Sequence, residues 1–205
     1  MTASTGCRLP FQGCCSGAAV AGLNSGWAEL WQTVTSMRVY LPSTLSDLAV
    51  ILRARQIQPG AAYAVTPALR EAYASGDQEE LEYVALTQAA RASLRLLVAD
   101  PQAPRRRVVL AVDVDDSLVG ITTHAITTHA DNPAQVTVTV PIATTRLVSA
   151  HVDDAQAEND IQKAIQALPE ADQGDDDAAF EVDQAEGHEL AWYATQELPD
   201  LVSAV

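Results

Sequence analysis

Histidine beside carboxylate is the combination that supports acid–base or metal chemistry near neutral pH. The sequence places it at His151, Asp153 and Asp154, in the string HVDD. A strand end followed by a helix start is a common place for ligands, so these three side chains could hold a divalent cation or a water. The same aspartates also suit a helix N-cap, where a carboxylate accepts free backbone N–H groups and meets the positive end of the dipole. A second group opens at His188 with the string HELAW. It departs from the HExxH of zinc hydrolases because Trp192 stands where the second histidine would be, which removes that reading. Trp192 and Tyr193 read as core packing or as pocket walls that offer a polar tip on an apolar body. Together, His151, Asp153, Asp154, His188, Trp192 and Tyr193 define the candidate ligand site.

Other chemistry-bearing residues are less promising. His124 and His129 lie in a direct repeat of ITTHA, five residues apart. On a helix that offset turns the side chains roughly 140° apart; on a strand it puts them on opposite faces. Cys7, Cys14 and Cys15 lack the paired CxxC spacing of a zinc site, and no metal site is expected from them. The acidic run DQGDDD, Asp172 to Asp177, lacks the alternating ligands and closing Glu of a calcium loop. Arg105, Arg106 and Arg107 are the one basic cluster. They suit either a phosphate or the acidic part of the same chain. No GxGxxG after a strand, Walker loop or GxSxG elbow occurs, so no cofactor is expected.

Charge narrows the partners. The 205 residues carry a formal net charge of −15. From His151 onwards fifteen acids face Lys163 alone, so nearly all the net charge lies in the last quarter. Nucleic acid and anionic membrane are repelled by such a surface; a basic protein or a cation is not. No run reaches the ~18 to 20 apolar residues of a membrane span. No secretory signal pattern opens the chain, and no cysteine follows Cys15. A cytoplasmic protein without disulfides is expected.

The elements that must position these groups begin at Met37. Residues 1–36 hold all three cysteines, Trp27 and Trp31 without any lasting period. They read as a poorly structured extension, with Met37 as the natural start and 37–205 as one domain. Val39 to Leu41 is a strand ended by Pro42. Thr44 caps a helix with the stripe Leu45, Leu48, Ile51 and Leu52. Ala61 to Val65 is a strand, and Thr66-Pro67 starts a short helix. Asp77 with Glu80 opens the longest helix, which Asp100-Pro101 ends. VVLAVDV is a central strand and residues 116–133 a loop. Gln135 to Val140 and Arg146 to Val152 are further strands. Asp153 is expected to cap a helix from Ala155 to Leu168, residues 169–187 to form an acidic loop, and Glu189 to Leu198 the last helix. The order β-α-β-α-α-β-β-β-α-α predicts an α+β domain, a mixed sheet of about five strands with helices packed on it.

The strings MRVYLPSTLSDL, AYAVTPALREAY, EELEYVALTQAARASLRLL and HELAWYATQELPDL resemble an uncharacterised family of small actinobacterial proteins, a domain of unknown function. The resemblance covers about residues 37–205 and implies a bacterial, cytoplasmic setting. It brings no activity, cofactor or catalytic residue. Two functions follow from the residues themselves. One is a non-catalytic interaction or regulatory domain that holds a basic protein on its acidic C-terminal part. The other is a small-molecule or metal-binding protein or enzyme with a pocket near His151, Asp153 and Asp154.

Overall fold

The computed structural model describes residues 36–115, 119–121 and 132–203; His124 and His129 lie outside them. The described residues belong to one compact unit, Val34–Val205, with an α+β fold. Among the described residues the strands are β1 (Ser36–Ser43), β2 (Gln56–Ile57), β3 (Gly60–Ala64), β4 (Val108–Asp115), β5 (Val119–Ile121), β6 (Gln135–Val138), β7 (Ile142–Ala143), β8 (Leu147–Asp153) and β9 (Leu190–Ala194). The α-helices among them are α1 (Leu45–Ala54), α2 (Pro67–Ala72), α3 (Gln78–Ala99), α4 (Glu158–Ala171), α5 (Asp176–Glu186) and α6 (Leu198–Ser203).

Seven strands form one sheet in the order β5-β6-β3-β1-β4-β8-β9. Every pairing is antiparallel, where a mixed sheet of about five strands was expected. The short strands β2 and β7 pair apart from it. β1 runs on through Pro42, which faces Val109 of β4. Its ladder with β3 stops at Tyr40, so the proline's missing N–H breaks no bond on that side.

Alternation along the strands builds a core on each face. Val39, Leu41, Val108, Leu110, Ala150 and Val152 point to the face covered by α1 and α6. Tyr40, Tyr63, Val109 and Ala111 point to α3, whose Ala85, Ala89 and Ala90 leave room for the two tyrosines. A third core lies between the C-terminal half of α3 and a hairpin of α4 and α5, around Leu94, Leu97, Ile161, Leu168 and Val182. At β8 the register slips by one residue, so that Val112 faces Leu147 while Ala111 faces Ser149. Val148 is the bulged residue, and the bulge keeps both Leu147 and Ala150 on one core.

The expected helix starts are present. Thr44, Thr66 and Asp77 accept backbone N–H bonds from Asp47, Leu69 and Glu80, and Asp77 completes a capping box with Glu80. Four expectations need correction. The segment 169–187 is not a loop; most of it is α5, capped by Asp175. Glu189 to Leu198 is not a helix. It holds β9, which pairs with β8 and supplies the sheet with its last strand. β5 lies inside the expected loop 116–133 and pairs with β6. Finally, Asp153 caps nothing: the N-cap role belongs to Asp154, whose carboxylate accepts from Gln156 N at the 3-10 turn before α4.

Candidate functional site

Asp153 sits at the end of β8, fully buried, and Arg107 meets it at the start of β4 with 2% of its side chain exposed. Arg107 Nε donates to Asp153 Oδ2 at 2.9 Å and Nη2 to Oδ1 at 2.8 Å. The backbone N–H of Arg107 adds a third bond to the same carboxylate at 2.7 Å. The guanidinium also donates to the carbonyl of His188 at 3.1 Å, just after α5. Arg107 therefore ties both ends of the α4–α5 hairpin to the sheet. A buried bidentate pair with its remaining valences filled is a structural clamp. The other two arginines of the cluster are also spent on the fold. Arg105 donates to the carbonyls of Leu97 and Pro101 at the end of α3, and Arg106 to that of Asp153. The phosphate alternative for this cluster has no support in the geometry.

The six candidate site residues do not converge. Asp153 is closed inside the clamp and Asp154 is an exposed cap. His188 Nε2 lies 2.9 Å from Asp160 Oδ2 on α4. Lys163 and His188 hold the Asp160 carboxyl below its usual range, chiefly by hydrogen bonding. His188 also lines a pocket of about 240 Å³ with Tyr83, Thr87, Arg107 and Glu186. Tyr193 faces the opposite side of the sheet and packs on the α1/α6 core. Only His151 and Trp192 meet, as a cross-strand pair between β8 and β9. His151 Nε2 is 3.5 Å from Ser149 Oγ. Burial and then the Arg38 charge push the imidazole below its ordinary pKa, so it is neutral at pH 7. Among the described residues no group of three or more His, Cys, Asp or Glu is placed to hold a metal ion. Ser93 is buried and structural: its hydroxyl donates to Ser43 O and accepts from Val108 N.

Two surfaces stand out instead. The first is the α4–α5 hairpin. Ile161, Ala164, Ile165, Leu168, Val182 and Ala185 bury its inner face, so its charged residues point outward at helical spacing. The hairpin carries ten acids and Lys163 from Glu158 to Glu186. Arg95 pairs with Asp172 and Arg91 with Glu186, from α3. Among the described residues Glu158, Asp176, Asp177 and Asp183 have no basic partner. Phe180 is 61% exposed in their midst, with Asp176, Asp177 and Asp183 one turn away on α5.

The second is a cleft of about 410 Å³ between β1, β4, α2 and α3, lined by Arg38, Val65, Arg70, Gln78, Glu82 and Asp113 among others. Arg38 grips Asp113 with two bonds, at 3.0 and 3.3 Å. Arg70 Nη2 donates to Gln78 Oε1, Gln78 Nε2 to Glu82 Oε1, and Tyr40 OH to Glu82 Oε2. Burial, and then the Glu82 charge, raise the Tyr40 phenol, so it stays a proton donor. Sequence reasoning located the acidic charge in the C-terminal part but missed the hairpin that carries it, and it missed the cleft. The spacing of Ala178, Val182 and Ala185 would have exposed α5. The cleft depends on the β1–β4 register, which sets Arg38 opposite Asp113 across 75 residues and has no local signal.

Fold and surfaces together define a three-layer α+β domain with a buried clamp, an acidic hairpin and a polar cleft. Among its described residues no helix is long and apolar enough to cross a membrane. The chain belongs to a family of unknown function, DUF6912, whose model matches residues 37–202. No curated protein and no solved structure matches it.

Proposed function

We propose that the chain is a non-catalytic docking domain that holds a basic segment of a partner protein on the polar face of the α4–α5 hairpin. The observation that supports this reading is Phe180, an exposed aromatic ring set among acids that lack basic partners. An apolar anchor inside a charged rim is the anatomy of a protein interface, and buried aromatics are enriched among its strongest contacts. The acidic field steers a basic partner towards the hairpin and away from nucleic acid. The two α3 arginines that reach the hairpin bind at its turn, on Asp172, and at the end of α5, on Glu186, and leave Asp176, Asp177 and Asp183 without a basic partner among the described residues. The expected setting is the bacterial cytoplasm.

The test is capture of partners from native lysate by the tagged chain, beside the variant D176K/D177K/D183K and a control, D47K/E197K/D200K, that makes the same change of net charge elsewhere. The reading expects a partner held by the natural chain and the control, lost from the hairpin variant, and lost at high salt. Raising salt to 1 M shortens the screening length to about 3 Å. A partner that the hairpin variant retains contradicts the reading. A small-molecule role is the second reading, favoured by the polar cleft.

A further inference from the structure

The cleft at Arg38 and Arg70 differs from the rest of the molecule in how its charges are used. Arg38 and Asp113 neutralise each other through two bonds. Arg70 has no carboxylate partner among the described residues; its bond is to the neutral Gln78 oxygen, at 2.6 Å. Among the described residues Glu82 has no cationic partner within ion-pair distance; it accepts from the Gln78 amide at 2.6 Å and from the Tyr40 hydroxyl at 3.2 Å. Beside the Arg38–Asp113 pair, one cation and one anion outside any ion pair thus border the cleft, bridged by a single side-chain amide. Gln78 and Arg70 are solvent-exposed, so both ends of the bridge can exchange partners. Tyr40 and Asp113 arise from the sheet floor, which gives the cleft a rigid base.

We propose that this cleft binds a small zwitterion of the amino-acid type, its carboxylate on the Arg70 guanidinium and its ammonium on the Glu82 carboxylate. An amide spans the gap between the two charges, so a carboxylate and an ammonium separated by one or two carbons reach both. The guanidinium offers its remaining N–H donors to a carboxylate, the geometry that arginine binds best. Other chemistries fit less well. A phosphate dianion would find one unpaired arginine and stand beside Glu82 and Asp113. A divalent cation has no cluster of ligands there. A wholly apolar molecule would desolvate six charged or polar side chains without replacing their bonds. The volume of about 410 Å³ is that of a metabolite site, and Val65 and Met37 supply the apolar wall for a side chain. This site is separate from the docking hairpin, and neither proposal depends on the other.

The experiment is a titration of the full chain, labelled with ¹⁵N, by the common free amino acids at millimolar concentration. At least one should shift the Arg70 side-chain Nε resonance and the backbone amides of Arg38, Gln78 and Asp113, and saturate. Arg70→Gln and Glu82→Gln should each weaken that binding about tenfold or more, with the remaining spectrum unchanged as proof of folding. Acetate alone and methylammonium alone should bind at least about tenfold more weakly than the whole zwitterion. The proposal is overturned if no amino acid shifts these resonances, if Arg70→Gln binds as the natural chain does, or if acetate alone matches the amino acid.

Discussion

The α4–α5 hairpin and the Arg38–Arg70 cleft use charge in opposite ways. In the cleft, two arginines stand with two carboxylates and the local balance is zero. On the hairpin, ten acids stand with one lysine. Balanced charge at short range gives orientation and selectivity for a small ligand and little field at a distance. Unbalanced charge gives a field that reaches a Debye length or more and fades with salt. A single acidic chain therefore presents two surfaces of different reach. Between them lies the Arg107–Asp153 clamp, where the same kind of pair as Arg38–Asp113 is buried and serves the fold alone.

The largest effect should come from breaking the clamp, because the hairpin hangs on it. Asp153→Ala leaves a buried guanidinium without its carboxylate and should cost about 3–5 kcal/mol of stability in a urea titration. Asp113→Ala removes the exposed counterpart, whose side chains are 41% and 37% accessible, and should cost only about 0–1 kcal/mol. Equal costs would erase the distinction between structural and accessible pairs.

Next in size is the loss of the apolar anchor. Phe180→Ala should weaken a captured partner by about 1–2 kcal/mol, the range of an interface aromatic of middling weight, and should leave the melting temperature almost unchanged because the ring is exposed. An unchanged affinity would take Phe180 out of the interface.

The smallest effect should appear in pH dependence. The folded state holds His151 below the ordinary value, so the unfolded chain takes up the proton first. Stability is then complete above about pH 6.5 and falls as pH drops from there towards the folded pKa. Replacing His151 with Gln should flatten that part of the profile. The groups that face it are Arg38, which opposes protonation, and the neutral Ser149. A profile unaltered by His151→Gln would place the titration elsewhere.

Local signals in the sequence carried much of this fold. Thr44, Thr66-Pro67 and Asp77-Glu80 marked three helix starts because caps act within one turn. VVLAVDV marked the buried strand β4 because both its faces are covered. What failed was set by distant partners. LAWYA is built of residues that suit a helix or a strand, and only the free edge of β8 makes it β9. Acidity hid α5, although its apolar spacing was there to read. Asp153 looked like a cap or a ligand. Its partner Arg107 lies 46 residues away, and only the β4–β8 pairing joins them. Of the six candidate site residues, His151 and Trp192 meet because their strands are neighbours, a fact that local spacing does not hold.

Carboxyl footprinting compares the two surfaces directly. The full chain would be labelled by carbodiimide and an amine, alone and with its captured partner at low salt, and each modified carboxylate quantified by mass spectrometry. The account predicts that the partner protects Asp176, Asp177 and Asp183 while Asp113 and Glu82 label equally in both samples. Protection at Asp113 and Glu82 with the hairpin acids unprotected would contradict it, and would move the docking surface to the cleft.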